Sequence, residues 1–137
     1  MAQITLNVKE KDTNIYNDCD DITTYSGNGI FPFIKSFDLS EEERQLKIAY
    51  STTNNPIKLK VYLNEVLLFT SPYIGTFLKQ SELDAFNIAN NFPLETIQNV
   101  LTSDIVIAKT TTDRTLRIEV YAPLPGNGFN ITRTCEI

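Results

Sequence analysis

Between residues 57 and 63 the chain alternates without a break. Ile57, Leu59, Val61 and Leu63 are apolar, and Lys58, Lys60 and Tyr62 stand between them. Successive side chains of an extended strand point to opposite faces, so this pattern wets one face and buries the other. A helix would spread the same apolar residues around its circumference. The alternation recurs in Ile4, Leu6 and Val8, in Leu46, Ile48 and Tyr50, and in Leu116, Ile118 and Val120. It recurs again in Phe129, Ile131, Arg133 and Cys135, separated by Asn130, Thr132 and Thr134. A strand with one apolar face must cover that face with a second layer. The chain is therefore constrained to pack sheet on sheet.

The intervening segments fit this frame. Asn64-Glu65 turns the chain into Val66–Thr70, which makes a hairpin. Ile30–Asp38 is apolar and aromatic, with Pro32 near its start as an edge or entry position requires. Residues 10–29 are rich in Asp, Asn and Gly and read as a long loop, anchored to the body by Ile15, Tyr16, Ile22 and Tyr25. Ser40–Arg44, Thr52–Pro56, Thr110–Asp113 and Pro123–Gly128 punctuate the rest, and Ile105–Ala108 returns to strand. The stretch 80–102 differs. Ser81-Glu82-Leu83-Asp84 has the spacing of a capping box, and Leu94, Ile97 and Leu101 follow Pro93 at helical intervals. One or two short helices are predicted there, inserted between strands. Seven or eight short strands with such turns imply a mainly β fold, an antiparallel β-sandwich of jelly-roll type.

A single domain over residues 1–137 is expected, because no composition break, linker or repeat divides the chain. The first strand and loop, 1–29, are natural candidates for an arm. The net charge of −5 argues against duplex nucleic acid or an anionic membrane as partner. No apolar run approaches the roughly 18 residues of a membrane span. The N-terminus reads as a strand, not a signal peptide, so, if the gene begins here, synthesis in the cytosol without export by that route is expected. In that compartment Cys19 and Cys135 default to free thiols. A bridge between them would close a very long loop, stabilising by ~4–5 kcal/mol in the chain-entropy view. The sequon at Asn130-Ile131-Thr132 is read as chance.

Chemistry has few footholds. The chain has no His, the usual general base near neutral pH and the commonest transition-metal ligand. No nucleophile elbow, phosphate-binding loop or dinucleotide fingerprint is present. The loop holding Asp12, Asn14, Asn17, Asp18, Asp20 and Asp21 offers the hard oxygens that calcium prefers, but lacks the spacing of a helix-loop-helix calcium site. A solvated turn explains the same residues. Glu41, Glu42 and Glu43 read as a solvated charge run, since carboxylate catalysis needs two groups held across a substrate. Tyr16, Tyr25, Tyr50, Tyr62, Tyr73 and Tyr121 are candidates for a sugar-stacking platform or a protein interface, against plain cross-strand packing. Tyr62 stands out because it faces away from Leu59 and Val61. No catalytic, cofactor-binding or metal residue is assigned, and no enzyme is expected. One reading of these residues is a carbohydrate-binding β-sandwich, calcium-dependent if the acidic loop binds the ion.

From Phe37 onward the order of features resembles a β-sandwich module of tailed-bacteriophage virion proteins, including capsid decoration and fibre proteins. The resemblance lies in Phe37-Asp38-Leu39 leading to the strand ending Tyr50-Ser51-Thr52, the Pro56 loop, and Lys60-Val61-Tyr62-Leu63-Asn64. It continues through Ser71-Pro72-Tyr73-Ile74-Gly75 and from Arg117-Ile118-Glu119-Val120-Tyr121 through Pro123-Leu124-Pro125-Gly126-Asn127-Gly128-Phe129 to Cys135. Ile57, Asn64 and Asn127-Gly128-Phe129 depart from that pattern, which has an Asp, a Gly and a Thr-Gly-Trp there. The resemblance implies a capsid decoration (cement) protein located in the virion. It would bind the major capsid protein or other virion proteins as a homo-oligomer, without cofactors.

Overall fold

A computed structural model describes residues 21–27, 32–124 and 127–136. Eight strands run through them: β1 (Asp21–Gly27), β2 (Phe33–Asp38), β3 (Arg44–Thr52), β4 (Lys58–Leu63), β5 (Val66–Thr70), β6 (Thr102–Lys109), β7 (Thr115–Tyr121) and β8 (Asn127–Glu136). They form two four-stranded sheets, ordered β1-β8-β3-β6 and β2-β7-β4-β5. Every pairing is antiparallel. β4 pairs β5, β3 pairs β6, β2 pairs β7 and β1 pairs β8, so the pairs nest around the turn at Asn64-Glu65. A long hairpin rolled up in this way is a jelly roll, the β-sandwich the alternation implied.

The alternating residues fill the space between the sheets. Leu46, Ile48 and Tyr50 of β3, Leu59, Val61 and Leu63 of β4, Leu116, Ile118 and Val120 of β7, and Phe129 and Ile131 of β8 belong to one buried cluster. Truncating any such Leu to Ala costs about 2–5 kcal/mol. Phe33 and Phe129 meet edge-to-face with ring centroids 5.5 Å apart. Arg133 keeps the inward register of β8 and is buried, its guanidinium 3.7 Å from the centroid of the Phe37 ring. The innermost turn places Asn64 at φ 52° and Glu65 at φ 64°, the two left-handed residues of a two-residue hairpin turn. Asn64 suits that geometry, and its Oδ1 accepts from the Arg114 amide at 2.9 Å. At the end of β6, Lys109 is 2% exposed. Its ammonium donates to the carbonyls of Ser40 (2.6 Å), Glu42 and Thr110 (3.1 Å), which pins the β2–β3 loop.

Four expectations need correction or limits. The span 10–29, read as loop, contains β1, paired along its length with β8. Its Ile-Thr-Thr-Tyr run suits a strand, and the Asp and Asn residues before it masked that signal. Residues 1–20, including the alternating segment 3–9 and most of the acidic loop, lie outside the described residues, as do Ile30 and Phe31. Of the one or two short helices expected between 80 and 102, one forms. A single 3-10 turn at Phe77–Lys79 leads into α1 (Gln80–Ala89). Ser81 lies inside α1 and does not cap it; Thr76 caps the preceding turn, its hydroxyl accepting from the Leu78 amide. Residues 93–101 are not helical, because Ile97 alone of the periodic set is buried and Gln98 bridges Ile74 in extended form. Cys135 is disulfide-bonded, contrary to the expectation of free thiols, and the chain's one other cysteine is Cys19.

Candidate ligand-binding site

The outer face of the second sheet carries what the inner alternation leaves over. The register sets Lys58 opposite Tyr121, Lys60 opposite Glu119 and Tyr62 opposite Arg117. These six side chains form a ladder. The Arg117 guanidinium lies 4.0 Å from the Tyr62 ring centroid, and its Nε donates to Glu119 Oε2 at 3.1 Å. Tyr121 OH donates to Glu119 Oε1 at 3.0 Å, and Lys60 Nζ sits 5.3 Å from the Tyr121 ring centroid. Glu119 is thus buried with both oxygens engaged. Burial, then the hydrogen bond and charge of Glu119, push the Tyr121 hydroxyl up to about 12.

Residues 71–101, between β5 and β6, fold against this face. They are tied to β4 and to the residue before it by backbone and side-chain hydrogen bonds. Ile57 and Ile74 exchange N–H···O bonds at 3.0 and 2.9 Å, and Ser71 Oγ accepts from the Leu59 amide at 2.8 Å. Gly75 has φ +154°, and a Cβ there would meet the Asn54 carbonyl oxygen and Pro56 Cα at 3.0 Å. The segment has its own small core of Tyr73, Leu83 and Ile97. Gln80 of α1 fixes the strap that follows, since its Oε1 accepts from the Ile97 amide at 2.8 Å and its Nε2 donates to the Glu95 carbonyl at 2.9 Å. Glu95 is thereby held 2.7 Å from Lys58 Nζ, which also lies 4.8 Å from the Tyr73 ring centroid.

A cavity of about 240 Å³ opens between the insertion and the sheet. The sheet contributes Lys58, Lys60 and Tyr121, and the insertion contributes Tyr73, Phe86, Asn87, Phe92 and Glu95. Phe92 is 46% exposed at the lip, with the Phe86 ring 6.0 Å behind it. Asn87 is 1% exposed, and its Nδ2 has no hydrogen-bond partner among the described residues. Burial, and secondarily the Glu95 charge, raise the Tyr73 pKa well above its ordinary value. Apolar walls with a few fixed polar groups are the usual make-up of a small-ligand site.

Of the tyrosines singled out in the sequence, Tyr62, Tyr73 and Tyr121 converge on this region, while Tyr50 belongs to the core. Tyr16 lies outside the described residues, and Tyr25 is in β1. Glu41, Glu42 and Glu43 are exposed; Arg114 lies 3.7 Å from Glu41 and Arg44 3.1 Å from Glu42. Of the acidic loop only Asp21 is described, as the first residue of β1. No cluster of three or more metal-ligating side chains occurs among the described residues. Sequence reasoning missed Lys58, Lys60, Asn87, Glu95, Phe86 and Phe92. The two lysines were legible as the outward partners of Leu59 and Val61. No sequence signal joins Glu95 to Lys58, because contact depends on how the insertion folds back.

No family model and no curated protein sequence matches the chain. Among solved structures, the pre-peptidase C-terminal domain of collagenase from Bacillus anthracis is similar with a TM-score of 0.54 at 8% identity, covering 85% of this chain and 90% of that one. A CBM4 structure is similar with a TM-score of 0.42 at 9% identity, covering 84% and 71%. The CBM51 from Clostridium perfringens GH95, solved in complex with methyl-galactose, has a TM-score of 0.39 at 12% identity, covering 82% and 88%. At these identities the likeness concerns the β-sandwich fold alone.

Proposed function

We propose that this chain is a non-catalytic carbohydrate-binding β-sandwich, with its ligand seated between the insertion and the outer face of the second sheet. The observation that carries this reading is the cavity itself, whose half-exposed Phe92 ring stands at the entrance and whose lysines, Asn87 and Glu95 supply polar groups within. An aromatic ring offers a sugar its apolar face, and fixed polar groups select among hydroxyls. Lys58 and Glu95 satisfy each other and hold the wall in place without a ligand. No cluster of three or more metal-ligating side chains lies among the described residues, so this reading takes binding to be metal-independent. A glycan array, followed by calorimetry on the hits, tests the reading. Binding should survive a chelator and fall at least tenfold in Phe92→Ala. A folded protein that binds no glycan, or a Phe92→Ala variant that binds as well as the parent, refutes it.

A second reading, the virion decoration protein of the resemblance, is favoured by a different observation. Among the described residues β5 is an edge strand, and Val66, Leu67 and Leu68 along it are 61%, 46% and 50% exposed. Uncharged apolar edges invite pairing with another chain. In this reading the strand docks on the major capsid protein, the protein is a homo-oligomer, and it resides in the virion. Absence of the protein from purified virions eliminates this reading.

A further inference from the structure

We infer, resting on the carbohydrate reading, that the sugar this cavity selects is anionic, carrying a carboxylate or a sulfate on the ring. The cavity wall holds two ammonium groups and one carboxylate. Lys58 is committed to Glu95 at 2.7 Å. Lys60 has no ion pair among the described residues, and its Nζ lies 5.3 Å from the Tyr121 ring centroid. The carboxylate across the ladder from it, Glu119, is taken by Arg117 Nε and Tyr121 OH. Among the described residues Lys60 is therefore a cation without an ion-pair partner, in a chain whose net charge is −5.

A second, independent observation points the same way. Asn87, on the other wall of the cavity, is 1% exposed and its Nδ2 donor is unsatisfied among the described residues. Buried donors are normally paired, and an unpaired one marks a place where an acceptor is missing. The Nδ2 atom is itself buried, and the broad terminal torsion of the Asn is the motion this inference requires to bring it to a guest. The excess on both walls is of donors, and the guest that uses them is rich in acceptor oxygens. A carboxylate or sulfate supplies two or three of these and converts the Lys60 contact into a charge-assisted hydrogen bond. The aromatic groups at Phe92 and Tyr121 then hold the apolar face of the same ring.

Calorimetry against three oligosaccharides of one backbone, neutral, hexuronate and sulfated, tests this with the parent protein, Lys60→Gln and Lys60→Arg. At least one anionic ligand should bind about tenfold tighter than the neutral one, weakening as NaCl is raised. Lys60→Gln should bring the anionic-to-neutral ratio close to one, and Lys60→Arg should restore most of it. The hexuronate and sulfated arms tell which anion is preferred. Equal affinity for neutral and anionic ligands, or a preference untouched in Lys60→Gln, overturns the inference and leaves the carbohydrate reading standing. No binding of any glycan overturns both.

Discussion

Replacing Lys109 by Met tests how the β2–β3 loop is held. The side chain is 2% exposed, and its ammonium donates to the carbonyls of Ser40, Glu42 and Thr110. Hydrogen bonds to a charged group contribute about 1.5–3 kcal/mol each, so three give a gross stabilisation of about 4.5–9 kcal/mol. Desolvating the ammonium offsets several kcal/mol of that. Met keeps the stem packed but leaves the three carbonyls without this donor. Ser40 and Glu42 lie on a solvent-facing loop, so water can recover part of the loss. The net cost should be about 3 kcal/mol. For 137 residues, at about 2.1 cal/mol/K of unfolding entropy per residue, that lowers Tm by about 10 °C. Urea and thermal unfolding followed by circular dichroism measure both numbers. A Lys109→Met protein within about 0.5 kcal/mol of the parent would refute the claim that this ammonium organises the loop.

Three other outcomes are expected. Gly75→Ala should destabilise by about 2 kcal/mol in urea titration, because the left-handed backbone and the 3.0 Å approach to Asn54 and Pro56 leave a Cβ no room. Asn64→Ala should cost about 1–2 kcal/mol, through loss of its bonds to the Arg114 amide and Asp113 and of a residue that tolerates φ 52°. Tyr121 is raised to about 12 when folded, above its value of 10.0 when unfolded. The unfolded chain therefore releases this proton first, and the stability it contributes is intact below pH 10 and lost as pH rises toward 12. Tyr121→Phe should flatten that part of the alkaline stability curve, and ultraviolet titration of the parent should show one tyrosine ionising near pH 12.

The sandwich was legible in the sequence because its physical cause is local. Ile57 to Leu63 had one way to bury every second side chain, and the partner strands showed the same period. Even the buried Arg133 kept the expected face, since register outweighs residue type once Phe129 and Ile131 are committed inward. The errors arose where contact across sequence decides. Leu94, Ile97 and Leu101 have helical spacing, yet Ile97 is recruited to Tyr73 and Leu83 while Leu94 and Leu101 stay exposed. Asp21–Gly27 looked polar and turn-prone, but β8 supplies a partner along its full length. The site was half visible. Tyr62 announced an outward aromatic position and Tyr121 stood among the stacking candidates, whereas Asn87 and Glu95 reach the site only because the insertion folds back onto β4.

The nesting of strand pairs around Asn64-Glu65 also has a kinetic side. Only the innermost pair closes a tight loop; each further pair must bring together segments much more distant along the chain, and β1 cannot be seated until almost everything between it and β8 has been synthesised and gathered in. Loop-closure entropy makes such a topology a slow folder, on the scale of milliseconds to seconds. The β4–β5 hairpin is the most local pairing, so on contact-order grounds its aliphatic run should pair before the outer strands close. Crowded expression then becomes a contest between rolling up and sticking to a neighbour, and the unusually high exposure that Val66, Leu67 and Leu68 retain at the end is the residue of that hazard.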